Sequence, residues 1–201
     1  MTGCAEPDSE VWYSRSANLN RKYPHTLEVV VTTAGRVGVN TLTANKLVAE
    51  AIASERLNEI TGYPTVHTEP AIPDERGRFD FVLGCSRDLP ECYVEVKNLT
   101  LGVDGLGSFP DAVSVRALKH VHALSRRVQA GYRGVLVFCV QHTGVQWTTT
   151  ADEIHPEYGA ALREAMAVGV EVVAYGCAIE RDEIVLTSAL PFSSPAALGW
   201  R

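Results

Sequence analysis

The sequence predicts an α/β fold in which helices flank a mixed sheet, from about residue 41 to residue 201. Two apolar runs have almost no polar interruption, which is typical of strands that are covered on both faces. Elsewhere apolar residues recur at helical spacing, and the alternation of strands and helices along the chain favours a layered α/β domain. The predicted buried strands are 134–141 and 170–179, and the predicted helices are 45–60, 112–130 and 156–169.

The first 40 residues have a different pattern. The stretches "EVWYSR", "TLEVVVTT" and "VGVNT" are strand-like and are separated by polar and proline-containing turns, which predicts a small β unit over residues 1–40. Beyond the first helix, the runs 79–85 and 92–98 predict a hairpin, and 100–111 is predicted to be a loop. Asp111 ends that loop, and because aspartate is a favoured N-cap, we expect it to cap the helix that follows.

Composition excludes several classes of protein. The chain has 201 residues, of which 46% are hydrophobic, and no apolar run approaches the ~20 residues that a membrane-spanning helix needs. The N-terminus lacks the pattern of a secretion signal, so we expect a cytoplasmic protein without a membrane partner. A net charge of −6 argues against bulk coating of nucleic acid. Residues 111–142 nevertheless carry five basic residues and one acidic residue, which predicts a local cationic face.

Three charged residues in the predicted hairpin suggest a site. Alternate residues of a strand share a face, so Glu95 and Lys97 point the same way, and a symmetric hairpin places Asp80 opposite position 95 or 97. Two converging carboxylates repel unless one takes up a proton or a cation lies between them. Mg²⁺, or Mn²⁺ in its place, would satisfy them with oxygen ligands. The alternative is a structural ion pair that only stabilises the hairpin.

The spacing of these residues, and longer stretches around them, resemble known families. An Asp followed about fifteen residues later by Glu-x-Lys on adjacent strands is the pattern of PD-(D/E)XK nucleases. The chain as a whole resembles the sugar fermentation stimulation protein family (SfsA) over nearly its full length. The stretches that carry the resemblance are "YSRSANLNRKYPHTLE", "VGVNTLTANKLVAEA", "CYVEVKNLTL", "FPDAV", "VQHTG", "HPEYGAALREA" and "GVEVVAYGC".

The resemblance implies a fold and a set of roles. Residues 41–201 would form a PD-(D/E)XK, restriction-endonuclease-like domain, and 1–40 would be a truncated OB-like β-barrel unit, because other members carry further barrel strands before this point. Asp80 and Glu95 would hold the metal, with Glu50 as an additional helix acid, and Lys97 would be the catalytic lysine. Nucleic acid would be contacted by Arg78, Arg116, Lys119, His120 and Arg127, with Asp111 also facing phosphate as the alternative to capping.

The sequence leaves three functions open. The first is a Mg²⁺-dependent DNA endonuclease, for which a homodimer would let both strands of a duplex be cut at one encounter. The second is a DNA-binding regulator of sugar (maltose) metabolism that does not cleave. In the third, the three charges only stabilise the hairpin. Glu50 lies at the edge of the apolar stripe of its helix, so it is either a ligand or a solvated carboxylate.

Overall fold

The computed structural model describes residues 3–4, 6–73, 75–85 and 88–195. Its helices and strands alternate along most of the chain, as the sequence pattern predicts, and together they form a mixed α/β fold with several sheets. In chain order they are β1 (Val11–Arg15), β2 (His25–Thr32), β3 (Gly35–Gly38), α1 (Leu42–Ala53), β4 (Val66–Thr68), β5 (Phe81–Leu83), β6 (Cys92–Leu99), β7 (Leu101–Val103), β8 (Leu106–Phe109), α2 (Val115–Gln129), β9 (Arg133–Val140), β10 (Trp147–Thr150), α3 (Pro156–Ala167), β11 (Glu171–Ile179) and β12 (Ile184–Leu190).

A six-stranded mixed sheet forms the centre, in the order β12-β11-β9-β6-β5-β4. The central strands β6, β9 and β11 are parallel, and the flanking strands pair antiparallel. The β5–β6 hairpin pairs Phe81 with Val94 and Leu83 with Cys92. This register, continued by one residue, sets Asp80 beside Glu95, as the symmetric hairpin predicts.

Helices cover both faces of this sheet. Helix α1 packs on one face through Leu47, Val48 and Ile52, against strand residues such as Val94 and Val137. Helices α2 and α3 pack together on the other face, over Leu136 and Phe138 among others. Because successive strand residues alternate between faces, Glu95 and Lys97 lie on the side of α2 and α3.

The N-terminal strands form an antiparallel meander, β1-β2-β3, that docks on the main sheet. Val37 forms a β-bridge with His142, and the backbone N–H of Gly38 donates to the carbonyl of Gln141 at 2.9 Å. Arg36 forms an ion pair with Glu180 at 2.5 Å. The meander therefore joins the segment that directly follows β9, and its orientation is fixed by main-chain hydrogen bonds.

The prediction of a loop over residues 100–111 was wrong. It contains β7 and β8, which form a second three-stranded sheet in the order β10-β8-β7. Strand β8 pairs in parallel with β10, so Thr150 lies opposite Phe109. The strands are short and rich in glycine, and β8 acquires its parallel partner from a segment about forty residues later, so no local pattern identifies them.

Two predicted element boundaries also differ. The first helix is shorter than the predicted 45–60 and begins earlier, at Leu42, while only a 3₁₀ turn forms at Asn58–Ile60. Ser114, and not Asp111, is the N-cap of α2, because its hydroxyl accepts the N–H of Ala117 at 3.1 Å. The chain thus makes a further bend after residue 111 before the helix begins.

No helix within the described part of the chain is long and apolar enough to cross a membrane.

We expect Gly38→Ala to destabilise the fold by crowding Gln141. A Cβ at position 38 would lie 2.5 Å from Oε1 of Gln141 and 3.0 Å from its Cβ. Overpacking of this kind costs about 1–3 kcal/mol. Urea denaturation measures the loss of unfolding free energy. The cost should shrink in a Gln141→Ala background, where the crowding by the amide group is removed; an equal cost in both backgrounds would show that this contact does not constrain the meander.

Candidate functional site

A cleft of about 500 Å³ opens at the end of β6. Its walls are the first turn of α1, the β5–β6 hairpin and the segment 109–116 that leads into α2. Asp80, Glu95 and Lys97 all line it, as do Asn45 of α1 and Arg116 of α2. The structure therefore brings together the three charged residues that the hairpin pattern singles out.

Glu95 is the most buried charged residue of the cleft, with 2% of its side chain exposed. Its Oε1 atom accepts from Lys97 Nζ at 2.6 Å and contacts Nδ1 of His120. Its Oε2 atom is buried and has no hydrogen-bond partner among the described residues. A carboxylate is costly to bury unless it is paired, and here only one of its two oxygens is paired by the protein.

Asp80 is held differently, by neutral donors. Its Oδ2 atom accepts the backbone N–H of Val96 at 2.7 Å, and its Oδ1 atom accepts from the side-chain amide of Asn45 at 2.6 Å. Asn45 reaches Asp80 from the start of α1, while Val96 N–H comes from the neighbouring strand. These two hydrogen bonds fix the carboxyl group at the mouth of the hairpin.

The two carboxylates influence each other electrostatically. Burial raises the pKa of Asp80 above its ordinary value, and the negative charge of Glu95 raises it further. The hydrogen bonds from Val96 and Asn45, and the charge of Lys97, act in the opposite direction on that pKa without cancelling the rise. Ionised Asp80 and Glu95 are thus an unfavourable pair that an added cation would relieve.

The donor set of the cleft fits a hard divalent cation. Among the residues that the structure describes, no group of three His, Cys, Asp or Glu side chains is placed to hold a metal, so a ligand set of three such side chains does not form here. What remains is the pair Asp80 and Glu95, of which Glu95 has a buried oxygen without a partner among the described residues; Asp111 also lines the cleft but forms no metal-holding group with them. A cation such as Mg²⁺ or Ca²⁺ accepts this number of protein ligands because it keeps water in its other positions.

Basic side chains surround two grooves that adjoin the cleft. Arg116 lines the cleft and both grooves, and Arg78 lines both grooves. Lys119 lines the groove that lies further along α2. Arg78 is exposed and pairs with Glu69 at 3.0 Å. These three predicted nucleic-acid contacts therefore share one side of the site.

Two other predicted site residues, Glu50 and Arg127, lie elsewhere, and His120 is at the site but not as expected. Glu50 has an exposed side chain and is not part of the cleft lining; it is five residues beyond Asn45, a rotation of about 140° around α1. Arg127 stacks over the rings of Tyr93 and Tyr132, about 16 Å further along α2 than Arg116. His120 was expected at the surface, facing phosphate, but its side chain is only 5% exposed and contacts Glu95.

The sequence did not identify Asn45 as part of the site, nor His120 as a partner of Glu95. Both contacts join a helix to a distant strand, at sequence separations of 35 and 25 residues. Helical spacing did not predict either contact, because Asn45 was the first residue of the predicted helix and His120 was expected to contact nucleic acid. Only the packing of α1 and α2 on opposite sides of the hairpin brings them to the carboxylates.

The fold and the cleft define a class of protein: a mixed α/β domain whose β5–β6 hairpin presents two carboxylates and a lysine at one opening. The family model for the sugar fermentation stimulation protein RE domain matches residues 42–183. The chain belongs to the sugar fermentation stimulation protein family (SfsA), as the sequence resemblance indicated.

Full-length relatives support the same assignment. The sugar fermentation stimulation protein homolog of Pseudoalteromonas atlantica is 48% identical over 192 residues, which is 95% of this chain and 82% of that protein. The homolog of Hahella chejuensis is 49% identical over 200 residues, 98% of this chain and 83% of that protein. A solved structure, that of Pyrococcus furiosus SfsA in complex with Ca²⁺, matches with a TM-score of 0.82 at 25% identity, covering 91% of this chain and 77% of that one.

We expect Lys97→Met to lower the unfolding free energy by about 3–5 kcal/mol, because it leaves the buried Glu95 carboxylate without its charged partner. Lys46→Met is the matched control, since Lys46 is exposed on α1, and it should change stability by less than about 0.5 kcal/mol. Chemical denaturation at neutral pH measures both. Equal stability of the two variants would show that Glu95 does not depend on Lys97.

Proposed function

We propose that this protein is a divalent-cation-dependent phosphodiesterase that acts on DNA. The observation that carries the proposal is the Glu95 carboxylate, which lines the same cleft as Asp80 and is paired through one oxygen, while its other, buried oxygen has no partner among the described residues. A structural ion pair does not account for an unsatisfied buried carboxylate oxygen, because leaving it so costs free energy. A cation that binds there would remove that cost.

The fold is consistent with this chemistry. We assign residues 41–201 to the PD-(D/E)XK class because an Asp and a Glu-x-Lys stand on adjacent strands of a sheet that has helices on both faces. We assign the meander β1-β2-β3 to the OB-like unit, since both are antiparallel β structures at the same place in the chain. A homodimer stays a prediction of the endonuclease hypothesis.

Asp80 and Glu95 would hold the cation, which we expect to be Mg²⁺ or Mn²⁺. The relative from Pyrococcus furiosus is described in complex with Ca²⁺, which supports a divalent cation for this family. When bound, such a cation lowers the pKa of a coordinated water and neutralises charge that develops on a phosphate. Asn45 and the N–H of Val96 keep Asp80 in place for this role.

Lys97 would act at the phosphate. Its ammonium group lies against Glu95, yet 11% of the side chain is exposed, and the residue lines the cleft. From this position it can donate hydrogen bonds to a phosphate oxygen or to the attacking water, and so stabilise negative charge in the transition state. Arg116, Arg78 and Lys119 would hold neighbouring phosphates along the two basic grooves.

The second candidate function is a DNA-binding regulator that does not cleave. One observation favours it: both oxygens of Asp80 already accept hydrogen bonds, and among the described residues no group of three His, Cys, Asp or Glu side chains is placed to hold a metal. In that case Arg116 and its neighbours would bind phosphate while the carboxylates stay inactive. Binding affinity would then fall linearly with salt on logarithmic axes, because phosphate contacts release counterions.

We expect labelled DNA to be cleaved in Mg²⁺ or Mn²⁺ and to stay intact in EDTA. Asp80→Asn should abolish cleavage, because the amide cannot supply a second negative charge to the cation. Glu50→Gln makes the same chemical change at an exposed carboxylate of α1 and should leave the rate unaltered. Gel analysis of duplex and single-stranded substrates, with circular dichroism to confirm folding, measures both.

Three results would contradict the nuclease. Cleavage that persists in EDTA would exclude a required cation. Binding without cleavage in every cation would favour the regulator, and no binding even at low salt would remove the basis of both functions. Loss of activity in Glu50→Gln would instead show that Glu50 contributes to the active site.

We expect Ca²⁺ to raise the melting temperature more at neutral pH than at acid pH. The folded pKa of Asp80 lies above the ordinary value of 3.8, so its contribution favours the folded state at acid pH and is lost as pH rises through that folded pKa. At neutral pH ionised Asp80 and Glu95 therefore repel each other, and bound Ca²⁺ removes that repulsion. Below the raised pKa of Asp80, a proton competes with Ca²⁺ for its carboxylate. Thermal melts with and without Ca²⁺ across pH test this, and Asp80→Asn is the control whose melting temperature Ca²⁺ should not raise. A Ca²⁺-induced rise in melting temperature that does not depend on pH would contradict the prediction.

A further inference from the structure

The two oxygens of Glu95 have unequal surroundings, and His120 is a principal cause. Nδ1 of His120 and Nζ of Lys97 both contact Oε1, the latter at 2.6 Å. No described residue donates to Oε2, although that atom is fully enclosed. Two donors on one oxygen restrict rotation of the carboxylate and keep its other oxygen directed away from them.

His120 is itself held in place by packing. It lies on the sheet-facing side of α2, where its neighbours Ala117, Val121 and Leu124 are buried in the core. Its own side chain is 5% exposed, so the ring has little room to turn. Lys97, by contrast, has a long flexible side chain and is needed at the phosphate in the proposed reaction. A rigid second donor is therefore required if Glu95 is to keep its orientation when Lys97 engages substrate.

We propose that His120 is the positioning residue of Glu95, which occupies Oε1 so that Oε2 is the single oxygen offered to a divalent cation. This rests on the proposed function, in that it assumes a cation at Asp80 and Glu95. In this proposal His120 acts by orienting the Glu95 carboxylate and does not contact phosphate. Partners of this kind, which orient a metal ligand, alter cation affinity when they are removed.

The structure supplies a graded set of variants. His120→Asn keeps an amide N–H near the position of Nδ1, whereas His120→Gln places its amide where Nε2 lies, and His120→Ala removes the donor. His122→Ala is the matched control, because His122 is exposed on the same helix two residues away. The asparagine and glutamine variants are both polar and of similar size, so they separate orientation from packing if the alanine variant does not fold.

Calorimetric titration with Mn²⁺ alone is the test, with thermal melts alongside it. We expect His120→Ala and His120→Gln to weaken Mn²⁺ binding by about 10–100-fold, His120→Asn to recover most of the loss, and His122→Ala to match the wild type. The inference is overturned if the wild type and the three variants at position 120 bind Mn²⁺ equally, or if the asparagine and glutamine variants lose the same affinity. A purely structural role of His120 would lower the melting temperature of the variants but would not make Mn²⁺ bind more tightly to the asparagine variant than to the glutamine variant.

Asp80→Asn in the same titration separates this inference from the proposed function. If the wild type binds Mn²⁺ and Asp80→Asn does not, while the His120 variants are unchanged, only the role of His120 fails. If the wild type itself binds no Mn²⁺, the proposed cation site and this inference both fail.

Discussion

The burial of one carboxylate, Glu95, is the constraint on which the site depends. A charge that is 98% removed from solvent has to be compensated, and Lys97 and His120 provide this at a single oxygen. A well-packed apolar residue at position 95 would serve the core equally well or better, since buried ion pairs seldom add net stability. The arrangement therefore keeps a carboxylate among the residues that line the cleft at a cost in stability.

The architecture explains how Asp80 and Glu95 come to share that cleft. Strand β6 pairs in parallel with β9 and antiparallel with β5, so Glu95 is fixed in the interior of the sheet, while Asp80 lies directly before β5, where the β5–β6 hairpin begins. Helix α1 reaches Asp80 through Asn45, and α2 reaches Glu95 through His120, from opposite faces. Each carboxylate is thus oriented by a different helix, and the packing of both helices on the hairpin determines the geometry of the pair.

Much of this could be predicted from sequence, and the exceptions have physical reasons. The alternation of residues along the predicted strand placed Glu95 and Lys97 on one face, and the long apolar runs predicted β9 and β11. The glycine-rich strands β7 and β8 were missed because their partner lies far along the chain. The family resemblance implied that His120 contacts phosphate; its burial depends on where α2 packs, which local periodicity does not encode.

Diffraction from crystals soaked in Mn²⁺, recorded at a wavelength where manganese scatters anomalously, tests whether Asp80 and Glu95 hold a cation. We expect one strong anomalous peak in the cleft, bound by Asp80 and by Oε2 of Glu95, with Oε1 still in contact with Lys97 and His120. A cleft without a peak, or a peak bound by other residues of the chain, would contradict this expectation and leave Glu95 as a purely structural partner of Lys97.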